Sequence, residues 1–127
     1  MIVADTDVLI DFLGGHEPAA ARIALELEHG DLRTTAITRF ELLSGARGPK
    51  QQGKILELLG VVGTLPLDAV AADQAASVRR ALEEKGIGIG MADSLIAGIV
   101  LVADGILLTR NRDHFKRVEG LHLGRLG

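Results

Sequence analysis

The sequence contains no cysteine, tryptophan or tyrosine, and it has only three phenylalanines. Without cysteine the chain can form neither a disulfide framework nor a thiolate metal site, and a reducing compartment is allowed. The scarcity of aromatic rings argues against a sheet or OB-type platform on which nucleic-acid bases stack. Any metal chemistry is therefore left to oxygen and imidazole ligands.

Long apolar segments are also missing. The longest runs from Leu95 to Ala103, far short of the roughly 20 residues that cross a bilayer. The start of the chain, Met1 to Asp5, lacks the basic region and long apolar stretch of a signal peptide. We therefore expect a cytoplasmic protein with no membrane association.

A large surplus of one charge is absent as well. Fourteen Lys and Arg face 17 Asp and Glu, giving a formal net charge of -3, which excludes a general polyanion-binding surface. A local excess of basic residues does occur near the C-terminus. There Arg110, Arg112 and Lys116 are candidates for positioning phosphates, and the alternative is a solvated charged rim.

What is present predicts one folded domain. The 127 residues are 47% hydrophobic with a mean hydropathy of +0.28, which excludes a disordered tail and suffices for a single domain, 1–127, with its own core. Predicted strands cover 2–4, 32–37, 65–67, 106–109 and 121–123, and predicted helices cover 7–13, 17–28, 38–46, 50–62, 68–85, 91–102 and 113–118. This alternation predicts an α/β fold of three layers, α/β/α, with a mainly parallel central sheet.

Acidic side chains occur where these elements meet. Asp5 follows the first strand, Glu41 follows the second, and Asp93 opens an apolar helix. Asn111 and Asp113 follow the strand at 106–109. Such turns share one edge of an open parallel sheet, where ligands bind, so we expect these side chains to meet in one pocket.

Each acid also has a simpler explanation. The segment from Thr38 to Glu41 fits a capping box, Asp93 can complement a helix dipole, and Asp5 or Asp7 can cap the helix that follows. These explanations do not account for Asp93 on so apolar a helix, because burying a carboxylate is costly unless it is paired or metal-bound. Clustered carboxylates would also repel one another without a cation. A shared site is therefore favoured.

The ligand types favour a hard cation. Carboxylate and amide oxygens suit Mg²⁺ or Mn²⁺, and the four histidines lack the spacing of a zinc site. Mg²⁺ usually keeps several waters and is completed by substrate phosphates, so an open acidic cluster indicates phosphoryl chemistry.

Four segments in chain order carry a family resemblance: Ile2 to Asp11, Thr38 to Ala46, Gly90 to Ala97 and Leu108 to Phe115. They resemble the four motifs of PIN-domain ribonucleases, and most closely those of VapC toxins of toxin-antitoxin pairs. The resemblance covers essentially the whole chain. No single motif is strong, but four in this order and at these spacings are specific.

The resemblance implies site residues. Asp5, Glu41 and Asp93 would be catalytic and would bind Mg²⁺ or Mn²⁺, with support from Thr6 and Thr109. The sequence departs from the commonest pattern at two positions. Asp7 stands where many relatives have Asn, and Asn111 stands where some have a fourth Asp. Asn111, Asp113 or both therefore remain candidates for the fourth metal ligand, with Asp113 also a catalytic candidate.

The resemblance also implies a reaction and partners. The reaction would be metal-dependent hydrolysis of RNA phosphodiester bonds. The implied partners are a second copy of the chain, forming a homodimer, and a small antitoxin whose C-terminal segment covers the site.

Other functions use the same residues. Asp5 and Asp7 after a strand look like the paired aspartates of a haloacid-dehalogenase-type phosphatase, although the chain is short for that fold and Glu41 stays unexplained. A phosphoryl-receiver domain would use Asp68 as acceptor and Thr109 as switch, but it lacks the lysine required after the last strand. A third possibility is an interaction module in which the acids are only helix caps.

Overall fold

Five strands and seven helices alternate along the chain, and the computed structural model describes all of residues 1–127. The strands are β1 (Ile2–Ala4), β2 (Leu32–Thr35), β3 (Gly63–Leu65), β4 (Ile106–Leu108) and β5 (His122–Leu123). The helices are α1 (Thr6–Gly14), α2 (Ala19–His29), α3 (Ala36–Ser44), α4 (Gly48–Val61), α5 (Ala69–Glu84), α6 (Met91–Ala103) and α7 (Arg112–Phe115). None of these helices is long and apolar enough to span a membrane.

The strand β1 lies at the centre of the sheet. The order is β3-β2-β1-β4-β5, and all four pairings are parallel, so the predicted parallel sheet is confirmed. Ile2 of β1 is in register with Leu32 of β2 on one side and with Ile106 of β4 on the other. The strand order reverses between β1 and β4, and in open parallel sheets ligands bind at such a reversal, outside the carboxyl ends of the strands.

Helices cover both faces of the sheet, which gives the predicted three layers. Successive strand residues point to opposite faces, so Val3 and Ala4 of β1 belong to different cores. Val3 packs in a core with buried residues of α5, α6 and α7, whereas Ala4 packs with buried residues of α1, α2 and α4. Both cores are apolar, and the polar cluster described below lies at the edge of the sheet.

The helix α6 is the most apolar element and is largely buried, as predicted. Its buried residues are Ser94, Ile96, Ala97, Gly98, Ile99 and Val100. It packs closely on α5, because a Cβ added at Gly98 would lie 2.6 Å from the backbone nitrogen of Ala75. Since α6 leads back into the parallel strand β4, its N-terminus lies at the carboxyl edge of the sheet. That direction brings Asp93, in the first turn of α6, to the same edge as Asp5.

The boundary between β2 and α3 differs from the prediction. The strand ends at Thr35, and α3 begins at Ala36 instead of residue 38. The side chain of Thr35 is the N-cap, and its hydroxyl accepts a hydrogen bond of 3.1 Å from the Thr38 amide. The predicted capping box from Thr38 to Glu41 is therefore wrong, because Thr38 lies inside the helix and Glu41 one turn beyond the cap.

Candidate active site

Asp5 lies directly after the central strand and is 6% exposed. Its Oδ1 accepts a hydrogen bond of 2.8 Å from the Thr6 amide, and its Oδ2 accepts one of 2.7 Å from the Thr109 hydroxyl. Burial raises the pKa of Asp5 from 3.8 to about 7, with further increases from the charges of Asp7 and Asp93, whereas the Thr109 hydrogen bond lowers it. Asp5 is therefore a buried carboxyl group that does not readily carry a negative charge without a cation.

Glu41 is linked to Asp5 through Thr6. The Thr6 hydroxyl lies 2.7 Å from Glu41 Oε1 and 3.0 Å from the Thr38 hydroxyl, while the Thr6 amide donates to Asp5. Because α3 begins at Ala36, Glu41 is free of any capping role and can face α1. The predicted supporting residue Thr6 thus contacts two of the predicted acids.

Asp93 is linked to Asp5 through the residues after β4. Asp93 Oδ2 accepts a hydrogen bond of 3.0 Å from Asn111 Nδ2. The backbone N–H of Asn111 in turn donates to the Thr109 hydroxyl at 3.0 Å, and that hydroxyl donates to Asp5. Four separate segments therefore contribute to one hydrogen-bonded network at the carboxyl edge of the sheet.

His114 is a member of this network that the sequence interpretation missed. Its Nδ1 lies 2.9 Å from Asp93 Oδ2 and 2.9 Å from Asn111 Nδ2. Residues three apart share a helix face, so the spacing of Asn111 and His114 was the available signal. The histidine spacing that predicts a zinc site does not identify a histidine that only orients a carboxylate.

Asp7 adds another carboxylate beside Asp5. Its Oδ2 accepts a hydrogen bond of 3.0 Å from the Arg110 amide, but its Oδ1 is buried without any hydrogen-bond partner. Burial raises the pKa of Asp7. A buried carboxylate oxygen without a donor is costly, so this atom favours a proton or a cation nearby.

The structure does not bring Asp113 to the cluster. Its side chain is 84% exposed and forms an ion pair of 3.1 Å with Lys116, which lowers the pKa of Asp113. The physical reason is local geometry, since Asn111, the N-cap of α7, and His114, three residues later, both reach Asp93, and the side chain of residue 113 points elsewhere. Of the two candidates for the fourth position, only Asn111 contacts another member of the site.

The three predicted phosphate-positioning residues are all bonded within the protein. Arg110 Nε lies 2.8 Å from Asp11 Oδ2, and Arg112 Nη1 donates to the Gly124 carbonyl at 2.7 Å. Lys116 pairs with Asp113. These side chains would have to exchange an internal partner for a phosphate before they could hold one.

The donor chemistry of the cluster fits a hard divalent cation, because its free atoms are carboxylate oxygens. Asp93 Oδ1 and Glu41 Oε2 accept no hydrogen bond, and Asp7 Oδ1 is buried without one. As the side chains stand, however, no group of three or more His, Asp or Glu is arranged to hold a metal ion. The acids are thus gathered, but a shared cation would require some of them to turn.

Known proteins with the same sequence pattern identify the family. Residues 2–121 match the PIN domain. The chain belongs to the PIN-domain family. "Ribonuclease VapC19" of Mycobacterium tuberculosis is 35% identical over 117 residues, which are 91% of this chain and 92% of that protein. The "tRNA(fMet)-specific endonuclease VapC" of Shigella flexneri is 31% identical over 121 residues, which are 92% of this chain and 91% of that protein. The VapC-type resemblance of the four motifs is confirmed.

Solved structures of PIN-domain proteins share the fold. VapBC-1 from nontypeable Haemophilus influenzae superposes with a TM-score of 0.82 at 25% identity, covering 99% of this chain and 98% of that one. VapBC2 from Rickettsia felis, bound to a DNA fragment from its promoter, gives a TM-score of 0.83 at 24% identity, covering 98% of both chains. The three-layer architecture predicted from the sequence is therefore that of a PIN domain.

Proposed function

We propose that this protein is an endoribonuclease that hydrolyses RNA phosphodiester bonds with Mg²⁺ or Mn²⁺, and that it is the toxin of a toxin-antitoxin pair. The observation that carries the proposal is the hydrogen-bonded network joining Asp5, Glu41 and Asp93 at one edge of the sheet. The VapC relatives named ribonuclease or endonuclease support the activity. The VapBC complexes among the structural neighbours support a small antitoxin as the partner.

We assign the cation to Asp5, Glu41 and Asp93, with Asn111 as the fourth member of the site. The 3.0 Å contact between Asn111 and Asp93 supports this choice over Asp113. A bound divalent cation would polarise the scissile phosphate and neutralise the developing charge.

The protein's own groups hold the acids in place. The Thr109 hydroxyl fixes Asp5 Oδ2, and the Thr6 hydroxyl fixes Glu41 Oε1. Because Thr6 binds only Oε1 of Glu41, the Oε2 atom has no donor and remains available to a ligand. Thr6 and Thr109 are therefore proposed as supporting residues that orient carboxylates.

The competing phosphoryl-transfer functions receive no support from the geometry. The order of a receiver-type sheet is 2-1-3-4-5, whereas here β3 is at an edge. Asp68 N-caps α5, and its carboxylate accepts a hydrogen bond of 2.9 Å from the Ala71 amide. The phosphatase alternative leaves Glu41 without a role, although Glu41 is linked to Asp5 through Thr6.

The proposed function is tested by incubating the purified protein with bulk tRNA in Mn²⁺ or in EDTA. We expect cleavage only with metal. Asp93→Asn should reduce the rate about 100-fold or more, the scale seen when one group that stabilises a transition state is removed. The matched control is Asp68→Asn, which keeps a good N-cap and should cleave as wild type does.

Two outcomes would contradict the proposal: cleavage that persists in Asp93→Asn, or no cleavage of any RNA in either metal. The homodimer implied by the resemblance remains a prediction, which light scattering coupled to size exclusion would test.

A further inference from the structure

A cleft of about 610 Å³ opens beside Glu41. It is bordered by residues of α1, α3 and α4. Its apolar lining residues are Ile10, Leu13, Leu42 and Ile55. Its charged lining residues are Arg47, Lys50 and Lys54, opposed only by Glu41. Among its charged lining residues, the cleft therefore carries three cations and one acid.

The cations of this cleft differ from those near residue 110. Arg47, Lys50 and Lys54 form no ion pair, and no hydrogen bond involves their side chains; the Arg47 amide alone is bonded, to Gln51. Lys50 and Lys54 are four residues apart on α4 and so share one helix face. Unpaired charges of one sign on one face attract an anionic ligand.

An acidic active site creates an electrostatic need for such a surface. The carboxylates of Glu41 and Asp93 do not attract a polyanion, and Arg110, Arg112 and Lys116 are bonded to internal partners. Glu41 belongs both to the cluster and to the cleft lining, so the two surfaces are continuous. Phosphate contacts from Lys and Arg fix the register of a nucleic acid without reading its sequence.

We propose that the RNA strand passes from the acidic cluster into this cleft, where Arg47, Lys50 and Lys54 hold its phosphates. The inference rests on the proposed function and names the residues that supply affinity for its substrate. The other occupant to be considered is an amphipathic acidic peptide, which would use the apolar lining. Continuity with the acids at which RNA would be cut favours the RNA strand.

The test is binding of a fluorescein-labelled, mixed-sequence single-stranded RNA of about 20 nucleotides. Fluorescence anisotropy is measured with Mn²⁺ in the Asp93→Asn background, so that the RNA stays intact. For single strands, log K falls by about 0.7 per phosphate contact for each tenfold rise in salt, so one contact contributes about fivefold at roughly 0.1 M. Lys50→Gln with Lys54→Gln should therefore weaken binding about 25-fold and reduce the salt slope by about 1.4.

The matched control removes the same charge elsewhere. Arg80, near the end of α5, and Lys85, its C-cap, are also exposed and unpaired, and α5 lies across the sheet from α4. Arg80→Gln with Lys85→Gln should leave both affinity and salt slope close to those of the parent. Thermal melts of the two double variants check that each still folds.

The outcomes separate this inference from the proposed function. If wild type cleaves bulk tRNA but the Lys50 and Lys54 variant binds RNA as its parent does, the cleft assignment is overturned and the nuclease proposal stands. Failure of the parent to bind the labelled RNA would also overturn it. A third probe is a labelled helical peptide with Leu on one face and Glu on the other. Loss of only peptide binding in the variant would make the cleft a protein-docking surface.

Discussion

Replacing Asp5 by asparagine is expected to stabilise the metal-free protein above neutral pH. The carboxyl group is buried, and its pKa rises from 3.8 to about 7 on folding. Each pH unit between the two values corresponds to about 1.4 kcal/mol, so the charged carboxylate costs the folded state about 4 kcal/mol once the pH exceeds both. The amide side chain of the variant cannot ionise and avoids that cost.

The direction in which stability changes with pH follows from the raised pKa of Asp5. A group whose pKa is higher in the folded state contributes its full stability below about pH 4, and this contribution is lost as the pH rises through about 7. An amide supplies one acceptor where the carboxylate supplies two, for the donors Thr6 and Thr109, and losing one hydrogen bond costs about 1 kcal/mol. The expected net gain of the variant is therefore about 3 kcal/mol near pH 8 and none near pH 4.

The assay is urea denaturation of wild type and Asp5→Asn in EDTA at about pH 4, 6 and 8. Comparing the two proteins at each pH cancels the contributions of carboxylates that do not interact with Asp5. The control is Asp73→Asn, at an exposed and unpaired position of α5, which should change stability by no more than about 0.5 kcal/mol at any pH. Adding Mn²⁺ should stabilise wild type and not Asp5→Asn. Equal stability differences at the lowest and highest pH, or a less stable variant at the highest, would refute the reasoning.

Three further predictions concern other parts of the structure. Asp7→Asn should raise the melting temperature of the metal-free protein near pH 8, because it removes a buried charge whose pKa is raised; an unchanged or lower temperature would contradict this. His114→Leu should weaken Mn²⁺ binding by about 10-fold or more in calorimetry, and His114→Asn, which keeps a donor towards Asp93, should restore most of it; equal losses in both would indicate a merely structural role. Gly98→Ala should lower the free energy of unfolding by about 1–3 kcal/mol in urea, because the new methyl group meets the α5 backbone at 2.6 Å; a stability equal to wild type would show that the helices separate freely.

The fold was largely predictable because its signals are local. Alternating apolar segments and helix patterns placed all five strands and seven helices in the correct order. The third strand was predicted at 65–67 but spans Gly63–Leu65, because it ends before Pro66, which cannot donate to a strand pairing. Boundaries were less predictable where cap signals compete. Thr34, Thr35 and Thr38 are all β-branched and polar, and only the packing of the strand decides which of them caps α3.

The candidate site was predictable only in part. The convergence of Asp5, Glu41 and Asp93 follows from the direction of parallel strands, which the alternating pattern already implied. Side-chain partners are not encoded in that pattern. Whether Lys116 faces a ligand or Asp113, and whether His114 touches Asp93, depends on the rotation of one short helix about its axis. Such a rotation is set by tertiary contacts.

The pairing of β1 with β4 determines when, during translation, the acidic cluster can assemble. Ile2 can pair with its neighbour Ile106 only after all of the chain between them has been made. Asp5 likewise waits for Thr109, the donor to its second oxygen. Contacts so distant along the chain form late, and folding proceeds from the N-terminus during synthesis. A nascent chain therefore cannot present the assembled centre before the segment that carries β4 and Thr109 has been made.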